Sequence, residues 1–491
     1  MNSIYKKKLT NISLFAILFI FLVVTMDRKA CASESVPYDT YIYDVYEDIK
    51  YTPAAYIPEE VIRGKEWGIG ALNSPQDINV TKDGTVYIAD TGNNRIVVLD
   101  PKFHLIKVIE EFNNNGKKES FSSPSGIYFS LSGNLYIADT GNKRIVLLDE
   151  DSNLVNIIEN PQSEVLDGEF VFVPLKVSVD YADRVYVIAK NMFQGIMAFD
   201  SEGNFTGFSG KIEVNISTSE KVWRIFTTKE QRSKQQLFIP TEFTGMEIDE
   251  NGFIYATSID AKGIQSVRRL NPKGEDVIRK GVGGISGDLD WRIRGDYSGA
   301  SRIIDVVVRD KGLYSIIDST RGRIFTYDHE GNLLYIFGGM GTQEGTFNTP
   351  TAIDTLDDKI LVLDSGRNAI MSFTPSKYGS LINEAVGLRY DGDESKAVYC
   401  WEEVIKLDSN FELAYVGIGK SYLSSGNNKL AMKYFKLGKN QEYYSMAFKR
   451  YRNEVLKNNL QYILTGLIVI ILGRKIYQFI RKRNKRRALD V

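Results

Sequence analysis

The chain has 491 residues, 43% hydrophobic, and carries 61 Lys and Arg against 62 Asp and Glu, for a net charge of −1. That length is too great for one average core and predicts several domains. The basic residues concentrate at the ends, five in residues 1–32 and eight in 474–491, leaving 48 basic against 60 acidic residues between, which excludes a basic nucleic-acid footprint on the folded part.

At the N-terminus Lys6-Lys7-Lys8 precede an apolar run, Ile12 to Met26, and then the small residues Ala30-Cys31-Ala32. This is the layout of a signal peptide over residues 1–32, because the run is shorter than the ~20 residues a spanning helix needs. Arg28 stands where lipoprotein processing takes an aliphatic residue, which argues against a lipidated Cys31. After cleavage Cys400 would be the single cysteine, so no intrachain disulfide is expected. An unbridged ectodomain rich in Asn, Lys and Ile looks bacterial. Residues 33–70 form an N-terminal extension in which Tyr56 to Ile69 could supply a ring-closing strand.

From residue 71 to 375 one pattern repeats six times. Its clearest copies are SPQDINVTKDGTVYIADTGNNRIVVLD, from Ser74 to Asp100, and SPSGIYFSLSGNLYIADTGNKRIVLLD, from Ser123 to Asp149. A unit of ~40–50 residues with several short strands reads as a propeller blade. In the first copy the predicted strands are Asp77–Val80, Val86–Ala89, Ile96–Leu99 and Leu105–Ile109, here termed A to D. The turns between them carry the Gly and Asn that tight hairpins require. Later copies run through RVYVIA at Arg184–Ala189, FIYAT at Phe253–Thr257, Gly312 to Asp328, and Pro350 to Phe373.

The entry Pro, the Y-I-A-D-T-G-N-x-R-I segment and the closing Asp resemble the NHL repeat family. The resemblance implies a six-bladed propeller with strand A lining the axis. Antiparallel order then puts A–B and C–D turns on one face and B–C turns with the inter-blade connections on the other. Nearly all extra length falls in the second set, at Asn113–Ser120, Glu159–Glu169, Gly210–Leu237 and Gly281–Ser301, and insertions confined to one face mark a binding surface.

Two sets of residues are candidates. Asp90, Asp139, Asp318 and Asp364, with Arg95, Arg144, Arg323 and Arg367, recur at the B–C turn. Their recurrence points to a structural task, the Asp accepting turn N–H bonds and the Arg packing across blades. Two residues after the entry Pro the repeat is broken instead: this slot holds Asp77, Gly126, Lys176, Gly245, Asp305 and Ala352. Asp77, Lys176 and Asp305 are therefore candidates for a polar-ligand or cation site at the channel mouth. Amidating lyases with NHL repeats use histidine metal ligands, and the two histidines here, His104 and His329, fall in C–D turns away from the insertions. Gluconolactonase-like propellers hold a divalent ion with acidic and amide oxygens, for which Asp77 and Asp305 are compatible in type. No nucleophile elbow, phosphate loop or zinc spacing is present in the sequence.

From Tyr378 the period becomes helical. Ala397 and Trp401 recur 34 residues later as Ala431 and Phe435, and Gly392 recurs as Gly426. With Gly419 and Tyr422 this segment, 378–458, is similar to tetratricopeptide repeats, which either pack on the propeller or continue as a stalk. Residues 459–480 read as a transmembrane helix and 481–491 as a basic cytoplasmic tail. The expected architecture is mainly β: a six-bladed β-propeller, a small tetratricopeptide-like α-helical region and one transmembrane helix. The expected protein is a single-pass cell-membrane protein with its bulk extracytoplasmic. Its propeller would bind or scaffold a glycan, peptide or protein partner, accessory to a transporter or envelope complex, with no cofactor and no nucleic acid. The alternative is a gluconolactonase-like hydrolase of a sugar lactone, dependent on a divalent cation such as calcium.

Overall fold

The computed structural model describes residues 35–166, 170–210, 242–281, 284–293 and 299–487. The signal-peptide segment and most of the Gly210–Leu237 insertion lie outside the described residues.

Six antiparallel sheets follow one another along the chain. In blade one the strands are Asp77–Val80, Val86–Asp90, Arg95–Leu99 and Leu105–Ile109, within one residue of the sequence expectation. Blades two and three repeat this from Pro124 to Ile158 and from Pro174 to Ser209. Blade four shows three strands between Phe243 and Leu270, and blade five runs from Ile303 to Phe337. Every residue of the second strand in blades one to five is buried, so these β-branched and aromatic runs face neighbouring sheets on both sides. The A strands pack in succession around the axis, the last against the first.

Closure comes from the N-terminal extension. Tyr56–Arg63 pairs antiparallel with Ala369–Pro375 and becomes the outer strand of blade six, whose inner strands are Pro350–Leu356 and Lys359–Asp364. Joining the strand that precedes blade one to the last strand of blade six in one sheet leaves the toroid without an open seam. Tyr56 is wholly buried there: its hydroxyl donates to the Asp358 carbonyl at 3.1 Å and accepts from Arg309 Nη2 at 2.8 Å.

A hairpin ahead of that strand, Tyr41–Tyr43 with Ile49–Tyr51, lies along the outer strand of blade five, Leu333–Phe337. The Tyr41 and Tyr43 hydroxyls bond to the buried carboxylate of Asp288, inside the Gly281–Ser301 insertion. The opposite end of the hairpin meets the helical region, where the Val45 N–H donates to Glu412 and Asp44 pairs with Lys439. At least this insertion is thus occupied by the protein itself.

Helices Lys377–Tyr390, Glu394–Leu407, Glu412–Ser424 and Asn428–Leu437 pack each on the next, and a 47-residue helix, Gln441–Arg487, follows. Ala397, Trp401, Ala431 and Phe435 are all fully buried. A Cβ on Gly419 would lie 2.6 Å from the Phe435 ring, so glycine permits the close approach of those helices. Ser376 caps the first helix through its Oγ, which accepts from the Gly379 N–H at 3.2 Å. The first and third helices dock on the face of short turns: Lys311 pairs with Asp391, Arg389 of the first and Lys420 of the third pair with Glu330, and Tyr390 packs edge-on against His329.

The last helix packs its start on the preceding helices through Tyr443 and Ala447. Beyond, it is long and apolar enough to cross a membrane, and its apolar window has no buried residue. The 21 residues from Leu460 to Ile480 span about 31 Å, matching a hydrocarbon core of ~30 Å.

Candidate functional site

Alternation along each A strand aims every second side chain at the axis, so six strands build two stacked layers. In the first, Asp77 of blade one, Lys176 of blade three and Asp305 of blade five meet. The Lys176 ammonium bonds to Asp77 Oδ1 and lies 3.5 Å from Asp305 Oδ2. Even-numbered blades supply Gly126, Gly245 and Ala352 at this level. A Cβ on Gly126 would come within 2.6 Å of the Leu175 carbonyl, and one on Gly245 within 2.4 Å of Asp305 Oδ1. Small residues on even blades therefore make room for large charged ones on odd blades.

The next layer reverses the arrangement. Blades two, four and six carry Tyr128, Glu247 and Asp354, while the odd blades carry Asn79, Ser178 and Val307. Sequence reasoning identified the first layer and missed Glu247 and Asp354; the signal was the same alternation, two residues further along each A strand.

These acids also hold the ring together. An innermost strand has unpaired N–H groups on its free edge. Asp77 Oδ2 accepts from the Ile127 N–H at 2.9 Å, Asp305 Oδ2 from Ile353 at 3.1 Å, Glu247 Oε2 from Val308 at 2.6 Å and Asp354 Oδ2 from Val80 at 2.7 Å. Each bond joins one blade to the next around the axis.

Charge is unequally compensated between the layers. Burial pushes the Asp305 carboxyl up to about 6, with Lys176 pulling it back and Asp77 adding to the rise. Burial raises Asp77 as well, against the attraction of Lys176. For Lys176 burial acts downward, but the two aspartates outweigh it and the ammonium is held above its usual range. The second layer contributes no cation. Burial lifts Asp354 to about 8 despite its N–H bonds from Thr355 and Val80, and burial with the charge of Asp354 holds Glu247 well above the usual carboxylate range.

The candidate triad does not form an open mouth. Its side chains are 7–12% exposed and satisfy one another, closing the channel. The large cavity, about 1920 Å³, lies on the opposite side, between the short-turn face and the first helix. Glu247, Asp354, Tyr128 and Asn79 line it, with Asn383 and Glu384 contributed by that helix. Strand A carries its uncompensated charge, Glu247 and Asp354, toward the plain face.

A divalent ion at the axis does not fit the first layer. The Lys176 ammonium already stands where such an ion would bridge Asp77 and Asp305, and their remaining capacity goes to backbone N–H groups. Among the described residues no group of three or more His, Cys, Asp or Glu is arranged to hold a metal. His104 is exposed and bonds to Asp100 at 2.9 Å, and His329 sits against Tyr390, so neither reaches the axis.

The recurring B–C residues form clamps. Asp90 accepts from the Asn73 N–H at 2.7 Å and from Arg95 Nε at 2.8 Å, while Arg95 Nη1 donates to the Ile69 carbonyl. Asp139 and Arg144 repeat this with Ser122 and Glu119, and Asp364 and Arg367 with Asn348 and Gly341. Arg95, Arg144 and Arg367 thus grip the connection entering their own blade, which for Arg144 is the hairpin Glu111–Asn114 with Lys117–Ser120. In blade five Arg321 takes the place next to Asp318, and Arg323 turns to Asp288 and Tyr41.

Residues 72–99 match the NHL repeat. That stretch runs from the entry of blade one through its third strand. Among solved structures, virginiamycin B lyase from Staphylococcus aureus is similar at 11% identity and a TM-score of 0.40, with 65% of this chain and 99% of that one covered. The β-propeller domain of Myceliophteria thermophila Cps50 (Swd1) is similar at 10% identity and a TM-score of 0.37, with 65% and 100% covered. Comparison with curated proteins found no match. Likeness at this level carries no argument about chemistry.

Proposed function

We propose that this chain is a single-pass membrane protein that holds an NHL-type propeller outside the cytoplasm as a binding and scaffold module. Its partner is a glycan, peptide or protein, and it serves as an accessory to another membrane complex such as a transporter or envelope assembly. The observation that carries the reading is the last helix, whose side chains from Leu460 to Ile480 are all exposed although most are large and apolar. Exposed patches of that extent are costly in water and natural in lipid. The basic run from Arg481 to Arg487 orients the tail to the cytoplasm by the excess of Lys and Arg on that side.

The four preceding helices, read as a tetratricopeptide-like collar, fix the propeller above the lipid. They do so through the Glu330 ion pairs and the N-terminal hairpin. A closed first layer in the channel leaves the inter-blade insertions other than Gly281–Ser301, and the plain-face cavity, as surfaces for partners. The test is extraction and co-purification. The protein should stay in membranes through alkaline washing and, after mild detergent, bring down integral membrane proteins. Deleting the Gly210–Leu237 insertion should weaken that association without releasing the protein from membranes. Release at alkaline pH, or purification as a lone monomer, would overturn the reading.

A further inference from the structure

The first layer shows how this channel satisfies facing carboxylates: an ammonium group reaches between two blades and is shared. The second layer has the acids without the ammonium. Glu247 and Asp354 each spend an oxygen on the backbone of the next blade, and the charge of Asp354 adds to the cost of ionising Glu247. Beside them Ser178 is wholly buried; its Oγ makes no hydrogen bond of good geometry, although the Tyr128 hydroxyl interacts with it. The cavity that opens onto this layer is itself acidic, with twelve Asp and Glu among its lining residues against six Lys and Arg.

We propose that the second layer is a binding site for a primary ammonium group of an organic cation, held between Glu247 and Asp354 as Lys176 is held between Asp77 and Asp305. The cavity is far larger than a bare metal ion needs, and its surplus of carboxylates suits a ligand with several positive groups. Tyr128 and Ser178 supply hydroxyl oxygens that can accept from the remaining N–H groups of the ammonium. This assignment is independent of what the decorated face binds.

Two ligand sources share this chemistry, a free polyamine and the lysines of a peptide. The test is calorimetric titration of the detergent-solubilised full chain with spermidine and, separately, with trilysine, at about 0.15 M salt so that diffuse attraction is screened. Saturable binding of at least one is expected, and the tighter of the two names the source. In Glu247→Gln with Asp354→Asn the amide oxygens still accept the inter-blade N–H bonds. Affinity should nevertheless fall about tenfold or more, as expected for losing charge-assisted bonds. Glu110→Gln with Glu164→Gln, exposed and outside the cavity lining, should change it less than about twofold, as exposed charges do. Absence of saturable binding to both probes would overturn the proposal. Equal weakening by the two variant pairs would also do so, as would Glu247-dependent binding of calcium with none of either amine.

Discussion

Replacing Lys176 with methionine removes the one positive charge among the described residues of the two channel layers while keeping most of the side-chain volume. Asp77 and Asp305, both about 5% exposed, would then face each other with no counter-ion. Breaking a buried ion pair by deleting one partner costs about 3–5 kcal/mol. For the ~300 residues of the propeller, with an unfolding entropy of about 2.1 cal/mol/K per residue, that is a drop in Tm of roughly 5–8 °C. The loss should shrink at low pH. Asp305 already sits near 6 with the ammonium present, so removing Lys176 raises both acids further and lets them take up protons. Thermal unfolding of the solubilised chain at pH 8 and pH 5 measures this. Adding Asp77→Asn and Asp305→Asn to Lys176→Met should recover most of the stability. A change below about 1 kcal/mol, or no recovery in the triple variant, would refute the view that the triad is an internal ion cluster closing the channel.

Other outcomes follow from the same contacts. Raised folded-state values at Asp305, Asp354 and Glu247 mean that the folded chain binds these protons more tightly than the unfolded chain. Their contribution is full below pH ~4 and is lost as pH rises toward about 8, so Glu247→Gln with Asp354→Asn should flatten the fall in Tm across that window. Glu330 acts oppositely: burial is outweighed by Arg389 and Lys420, its carboxyl drops to about 2, and its contribution is lost as pH falls toward that value. Tyr56→Phe removes an acceptor from Arg309 and from Asn383 Nδ2, and should cost about 1–3 kcal/mol in denaturant titration. Gly419→Val drives a side chain into Phe435 and should loosen the helical region by about 1–3 kcal/mol, seen as proteolysis there with the propeller intact.

The repeat made the propeller readable because each blade writes its own strands and turns within a short window. Thr91-Gly92-Asn93 forms a turn where the sequence placed one, and Asn94 takes the left-handed conformation with φ at 55°. The first channel layer was legible too, since its residues break an otherwise regular slot. Glu247 and Asp354 carry no such mark: they lie at the second inward position of their A strands, two residues beyond the slot that breaks the repeat. Contacts between distant segments left no periodic trace. Nothing near Tyr41 and Tyr43 announces Asp288, which lies more than 240 residues further along. In blade five Arg323 keeps the repeat position but leaves its aspartate for that carboxylate, an exchange only the tertiary structure reveals.

The side of the membrane on which the propeller stands is most directly measured by cysteine labelling of intact cells with a membrane-impermeant maleimide. Leu131→Cys lies on an exposed short turn at 71% exposure, and Asp490→Cys lies in the basic tail. With the propeller outside, Leu131→Cys should label in intact cells and Asp490→Cys only after lysis. Labelling of Asp490→Cys in intact cells with Leu131→Cys protected would contradict that orientation.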